Sequence, residues 1–280
     1  MTPLRKLQLW SAIAALVIVQ APGVLAKGEP PPKKAHVDLE IQQLESSGAE
    51  TINVILRTDR KTDWAKLRKT LRHHDVIVTR IAPRTNATAA TISTSDLVWL
   101  ETLPGIVSIS IDAPVTSAPL SAQGLLTSTG SGLIKKSDLR ALLGLTDTDP
   151  TGNGVGIAII DSGIAPVSEL TSRITAFYDF ANGKSGLATG PVDGYGHGTH
   201  IAGLIGSSGV QSNFEYQGIA PNARLVGLKV LDGQGSGKTS DVIAALEFVT
   251  ANKDRLNVQI VNLSLGHPIY ESPETDPLVR

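Results

Sequence analysis

Cysteine is absent from the 280 residues. That excludes disulfides, thiolate metal centres and a cysteine nucleophile at once. Net charge is nearly absent too: 25 Lys and Arg stand against 26 Asp and Glu, a balance of −1. No broad basic surface therefore points to nucleic acid or to an anionic membrane. Aromatic residues make up 4% of the chain, and no repeat of solenoid period is evident. Small apolar residues are abundant instead, as in a tightly packed α/β domain, and the length accommodates one large domain or two modest ones.

The amino terminus has the three parts of a secretory signal in order. Arg5 and Lys6 precede an apolar run from Leu7 to Val19, and Val24-Leu25-Ala26 offers small residues for cleavage. Pro22-Gly23 and the short apolar core argue against a retained membrane anchor. Residues 1–26 are thus expected to be a signal peptide, which implies a secreted protein, extracellular or periplasmic, with no membrane attachment after cleavage. Residues 27–36, with Pro30-Pro31-Pro32, form a stiff polar linker.

Residues 37–115 predict a small domain of their own. Strands are expected at 51–57, 76–81, 87–92 and 106–111. Trp64, Leu67 and Leu71 mark one helix by their spacing, and Leu97, Leu100 and Leu103 mark another. The order β-α-β-β-α-β is the split, ferredoxin-like α+β arrangement, which by itself carries no function. His73 and His74 close the first helix as solvated residues near its negative end. Residues 116–135 are rich in Ser, Thr, Gly and Pro and predict a linker. A short helix is expected over 136–145.

Chemistry gathers in two later stretches. Val155 to Ile160 is an apolar, largely β-branched run ending on Asp161, the pattern of a parallel strand buried on both faces. Asp193-Gly-Tyr-Gly-His-Gly-Thr-His200 is a glycine-rich loop delivering His197 to the start of an apolar helix. In open α/β sheets such strand and helix ends are where function collects. An Asp that orients a His, with Ser162-Gly163 supplying N–H groups to the carboxylate, is two thirds of a nucleophilic triad. His197 and His200 lack the third ligand and nearby Glu that zinc would need. The run Asp232-Gly-Gln-Gly-Ser-Gly-Lys-Thr239 imitates a phosphate loop, yet carries Asp where its first Gly must be. Asn262-Leu-Ser264 fits a glycosylation triplet but lies in a strand expected to be buried.

Ile159-Ile-Asp-Ser-Gly-Ile164, Gly196-His-Gly-Thr-His-Ile-Ala-Gly203 and Val261-Asn-Leu-Ser-Leu-Gly266 together resemble the motifs of subtilisin-like serine peptidases. The resemblance covers roughly residues 150–270. It implies a subtilisin-like parallel sheet flanked by helices, with Asp161 holding the imidazole, His197 as general base and His200 structural. Gly235, Ser236 and Gly237 would form one edge of a peptide cleft, and Ser264, Leu265 and Gly266 the other. Residues 37–115 would be an inhibitory propeptide, the chain's own partner besides peptide or protein substrates, with processing in 116–135. No cofactor is needed for that chemistry. Structural calcium is frequent in the family, but no carboxylate cluster identifies its ligands here.

The family's oxyanion asparagine, in an Ala-Gly-Asn context, and its nucleophile, in a Gly-Thr-Ser-Met-Ala context, have no match in the 280 residues. Residues 136–280 are therefore expected to be the amino-terminal part of a catalytic domain, inactive as given, in a fragment or truncated chain. Its strand at 258–265 would present an open apolar edge. The alternative reading is a non-catalytic inhibitor or binding protein acting through residues 37–115.

Overall fold

The structure, a computed structural model, describes residues 15–18, 34–118, 143–146 and 148–279. The cleavage site expected at 24–26, most of the 116–135 linker and most of the helix expected over 136–145 lie outside the described residues. A short strand, β1 (Ala15–Ile18), comes first.

The first domain comprises β2 (His36–Val37), α1 (Leu39–Ser46), β3 (Thr51–Thr58), α2 (Trp64–Arg72), β4 (Ile77–Ala82), β5 (Ala87–Ser93), α3 (Leu97–Thr102) and β6 (Ile106–Ile111). The sheet order is β2-β6-β3-β5-β4. β3 runs antiparallel to both β5 and β6, and β4 antiparallel to β5, so the four strands β3 to β6 have the split β-α-β-β-α-β topology. Leu67 and Leu71 of α2 are buried against Val54, Leu56 and Ile109, while its basic residues face outward.

The pair β2 and α1 adds elements that the sequence reading of residues 37–115 does not include. The Asp38 carboxylate, fully buried, accepts from the N–H of Ile41 (2.8 Å) and of Ile111 (2.5 Å), capping α1 and pinning it to β6. His74 is more than a solvated helix end: its ring stacks on Trp99 with centroids 3.7 Å apart.

Next comes β7 (Pro114–Ser117), which straddles the expected domain boundary at 115/116. The second domain follows with β8 (Gly156–Asp161), β9 (Ile174–Asp179), β10 (Leu187–Ala188), α4 (His197–Gly206), β11 (Arg224–Lys229), β12 (Ser236–Lys238), α5 (Thr239–Leu256), β13 (Ile260–Leu263) and β14 (Leu265–Gly266). Its main sheet has the order β1-β13-β8-β11-β9-β10. The pairs β13–β8, β8–β11 and β11–β9 are parallel. All six residues of β8 are buried, as a central strand covered on both faces requires.

Two expectations about the 258–265 stretch need correction. It is not one strand: the ladder breaks at Ser264, and Leu265–Gly266 pairs in a different sheet. Nor, in the uncleaved chain, is its outer edge open. Ala15–Ile18 runs antiparallel along β13, pairing Ala15 with Leu263 and Ile18 with Ile260. The N–H and C=O groups of that edge, which would otherwise template aggregation, are met by a short apolar segment from the same chain.

The two domains are joined by polar contacts around the start of α5. Arg80 Nη2 on β4 donates to Asp241 Oδ1 (2.7 Å) and to the carbonyls of Lys184 (2.9 Å) and Phe180 (3.2 Å). Asp112 accepts from both the N–H and the hydroxyl of Ser240, each at 2.8 Å, satisfying free donors of the first turn of α5. Ile55, Ala82 and Ala87 meet Ile243 in a small apolar patch beside them.

Candidate active site

Asp161 ends β8 and His197 begins α4, 36 residues on. Their side chains meet: His197 Nδ1 lies 2.7 Å from Asp161 Oδ1 and 2.9 Å from Oδ2. Asp161 is fully buried and His197 is 4% exposed. The N–H of Ser162 donates to Asp161 Oδ1 at 2.7 Å, the turn geometry expected of Ser162-Gly163. Burial nonetheless dominates and pushes the Asp161 carboxyl above its ordinary value of 3.8, against the lowering effect of the Ser162 N–H and of His197. With Nδ1 bonded to a carboxylate, the other imidazole nitrogen presents its lone pair. Nε2 is buried and has no hydrogen-bond partner among the described residues.

Close backbone approach makes this contact feasible. A Cβ on Gly198 would stand 2.1 Å from the Gly163 carbonyl oxygen and 3.1 Å from Asp161 Cβ, so only glycine lets α4 press against the turn after β8. The Gly198 N–H donates to Ser162 Oγ at 2.9 Å. Asp193 anchors the helix start, accepting from the N–H of Tyr195, Gly196 and Thr199 and from the Thr199 hydroxyl. Burial raises the Asp193 carboxyl, but these donors outweigh it and hold the group below 3.8.

Lys229, opposite Asp161 across the β8–β11 ladder, is 9% exposed. Its Nζ donates to the Ser162 carbonyl at 2.8 Å and to the Leu231 carbonyl. Burial lowers its pKa from 10.5, with Asp179, Asp193 and Asp232 pulling the other way.

The six residues expected to line a peptide cleft flank a strand of the chain itself. β7 lies between β12 and β14, antiparallel to both. Thr116 faces Ser236 on one side and Gly266 on the other, Val115 faces Gly237, and Leu265 faces Ser117. The N–H of Ala118 donates to the Ser264 carbonyl (3.0 Å), and that of Ser117 to the Gly235 carbonyl (3.4 Å). Gly235 has φ +76° with Tyr195 packed where a Cβ would go. Val115 is fully buried in the apolar cluster that includes Leu231, Val242 and Leu265, whereas Pro114 and Thr116 are exposed. The phosphate-loop imitation thus folds partly as a sheet strand, and the Thr239 hydroxyl is spent on the Ala113 carbonyl (3.0 Å).

His200 is exposed, three residues along α4 from His197. No group of three or more His, Asp or Glu residues able to hold a metal ion occurs among the described residues.

Sequence reasoning passed over Val115, Asp193 and Lys229. A proline-containing tetrapeptide reads as linker, and a lysine closing an apolar strand reads as its solvent-facing end. Asp193 sits four residues before the helix, three before its N-cap Gly196, and a carboxylate just ahead of a helix start is a signal that could have been read.

Comparison with known proteins bears on the same residues. Residues 152–277 match the subtilase family. Serine protease AprX of Bacillus subtilis (strain 168) is 44% identical over 135 residues, covering 46% of this chain and 30% of that protein. The alkaline protease of Alkalihalobacillus alcalophilus is 38% identical over 118 residues, covering 42% and 28% respectively. The chain therefore spans less than a third of the length of either relative. Among solved structures, fervidolysin from Fervidobacterium pennivorans superposes with a TM-score of 0.58 at 17% identity, over 94% of this chain and 42% of that one. That likeness extends to the fold. With the three motifs inside the matched segment, residues 152–277 are similar to the subtilase family.

Proposed function

We propose that the chain is the amino-terminal part of a secreted serine endopeptidase precursor. Asp161 holds the imidazole, and His197 Nε2 takes the proton of a serine hydroxyl as it attacks a peptide carbonyl and forms an acyl-enzyme. The observation that carries this reading is the buried imidazole bonded through Nδ1 to Asp161, with its other nitrogen unengaged. Extended peptide would bind by backbone pairing with Gly235–Gly237 and Ser264–Gly266, as β7 does.

Residues 37–115 act in this reading as an intramolecular inhibitor whose tail fills the cleft until processing. Secretion follows from the pattern of residues 1–26, and no helix among the described residues is long and apolar enough to cross a membrane.

No serine of these 280 residues stands in the nucleophile's Gly-Thr-Ser-Met-Ala context. Loss of the nucleophilic serine costs on the order of 10⁶ in turnover, a figure measured in subtilisin itself. The 280-residue polypeptide is therefore expected to leave peptide substrates intact. Reading the DNA past the Arg280 codon tests the assignment: an in-frame Gly-Thr-Ser-Met-Ala supports it. Peptide hydrolysis at enzymatic rates by residues 1–280 alone would overturn it.

The second reading, an inhibitor acting in trans, draws on the same placement of β7 between the cleft strands. Tight inhibition of a separate subtilisin-like peptidase by residues 34–118 would favour it.

A further inference from the structure

Lys229 is a buried cation with no carboxylate in ion-pair contact among the described residues, and the proton-transfer chemistry above does not use it. Its two acceptors are informative. The Ser162 carbonyl belongs to the residue whose N–H holds Asp161 and whose hydroxyl receives the Gly198 N–H, next to His197. The Leu231 carbonyl immediately precedes Asp232. Asp232 folds the loop leading to β12, its N–H donating to the Ser236 carbonyl (2.7 Å) and its Oδ1 accepting from Gln234 and Ser236. One ammonium therefore bonds to the turn that sets the Asp161–His197 contact and to the turn that presents a cleft strand.

Both carbonyls lie past the strand ends, beyond the reach of the ladder, so each needs a donor from elsewhere. A neutral side chain would meet them with weaker bonds, since hydrogen bonds to a charged group are roughly twice as strong.

We infer that Lys229 is a positioning residue, locking the Asp161–Ser162 turn to the 231–236 cleft loop and thereby fixing His197 against Asp161. This rests on the Asp161–His197 reading given above. Lys229 touches no reacting atom, and its effect passes entirely through Ser162.

The test uses the full 280-residue chain and proton NMR of the low-field His197 Nδ1–H resonance. Amide exchange of Gly198 is followed in parallel. In Lys229→Met the resonance is expected to be lost to exchange broadening, and the Gly198 amide to exchange about tenfold faster or more, the scale of one hydrogen bond to a charged donor. Amides of β3 and β5 should keep their wild-type rates.

Lys229→Arg, which retains charge and donors, should restore the resonance at least in part. Should the Met variant not fold, Lys229→Gln, with neutral donors only, is expected to give the same local loosening. A folded Met or Gln variant with an unchanged His197 resonance and unchanged Gly198 exchange overturns the inference. If instead the wild-type chain gives no low-field His197 resonance, the Asp161–His197 reading fails, and this inference fails with it.

Discussion

Replacing Arg80 with methionine removes the guanidinium paired with Asp241 across the domain interface. The Arg80 side chain is 14% exposed and that of Asp241 is 1% exposed, so solvent screens the pair little. Without Arg80, Asp241 Oδ1 keeps the Gly183 N–H at 3.2 Å, while Oδ2 already has no partner. Breaking a buried pair by deleting one partner costs about 3–5 kcal/mol, because the other charge is left stranded. The carbonyls of buried Phe180 and exposed Lys184 lose their donor as well. About 3 kcal/mol is therefore expected at neutral pH, or roughly 10²-fold in the docking equilibrium.

Asp241 has an escape. Burial already raises its carboxyl, so protonation relieves the stranded charge and the cost should shrink in acid. The double variant Arg80→Met/Asp241→Leu, with an apolar pair of similar volume, should recover most of the loss. Urea titration gives the energies, and hydrogen exchange at Thr116, Ser117 and Ala118 reports undocking of β7. A loss below about 0.5 kcal/mol in the single variant, within the range of ordinary surface substitutions, would refute the reasoning. So would strictly additive effects of the two changes, since residues in contact should couple.

Further outcomes follow from the same geometry. Val115→Ala removes two buried methyl groups from β7 and should cost about 2 kcal/mol, seen as faster proteolysis near residues 114–118. Gly198→Ala forces a Cβ against the Gly163 carbonyl; a loss of about 1–3 kcal/mol is expected in thermal unfolding, and a neutral effect would contradict the packing. Asp112 and Asp241 both have carboxyls raised above 3.8, burial being the largest cause. The folded state thus binds protons that the unfolded state has already released, so stability falls as pH rises through that window and levels off above it. Asp112→Asn removes one of these titrations. The wild type should lose stability relative to it as pH rises from about 4 through the raised folded-state titration, and a pH-independent difference would count against the burial of Asp112.

Much of the first domain was legible from local pattern: Leu67 and Leu71 at helical spacing on α2, and the apolar run along β3. The β2–α1 pair escaped because its apolar signal is thin. Leu39 is 66% exposed, and only Ile41 of α1 is buried. β7 escaped for a different reason. Pro-Val-Thr-Ser is only four residues long and opens on proline, and it is extended because two strands about 120 and 150 residues away pair with it. Local pattern holds no trace of such partners.

The candidate site divides in the same way. Asp161 and His197 stand in motifs whose spacing carries their chemistry. Lys229, Arg80 and Asp112 owe their surroundings to tertiary contacts, and a charged residue's identity alone reads as surface. The break at Ser264 and the cover of β13 by Ala15–Ile18 were likewise invisible, because the choice of sheet is made by pairing partners and not by the segment.

The central claim, an imidazole held by Asp161 so that its far nitrogen can accept a proton, is tested most directly by the tautomer of His197. Two-bond nitrogen–proton NMR on the uniformly labelled chain distinguishes the two ring nitrogens. The proton on Nδ1, with a bare Nε2, is the expected result. A neutral ring protonated at Nε2, or one exchanging freely between tautomers, would contradict it.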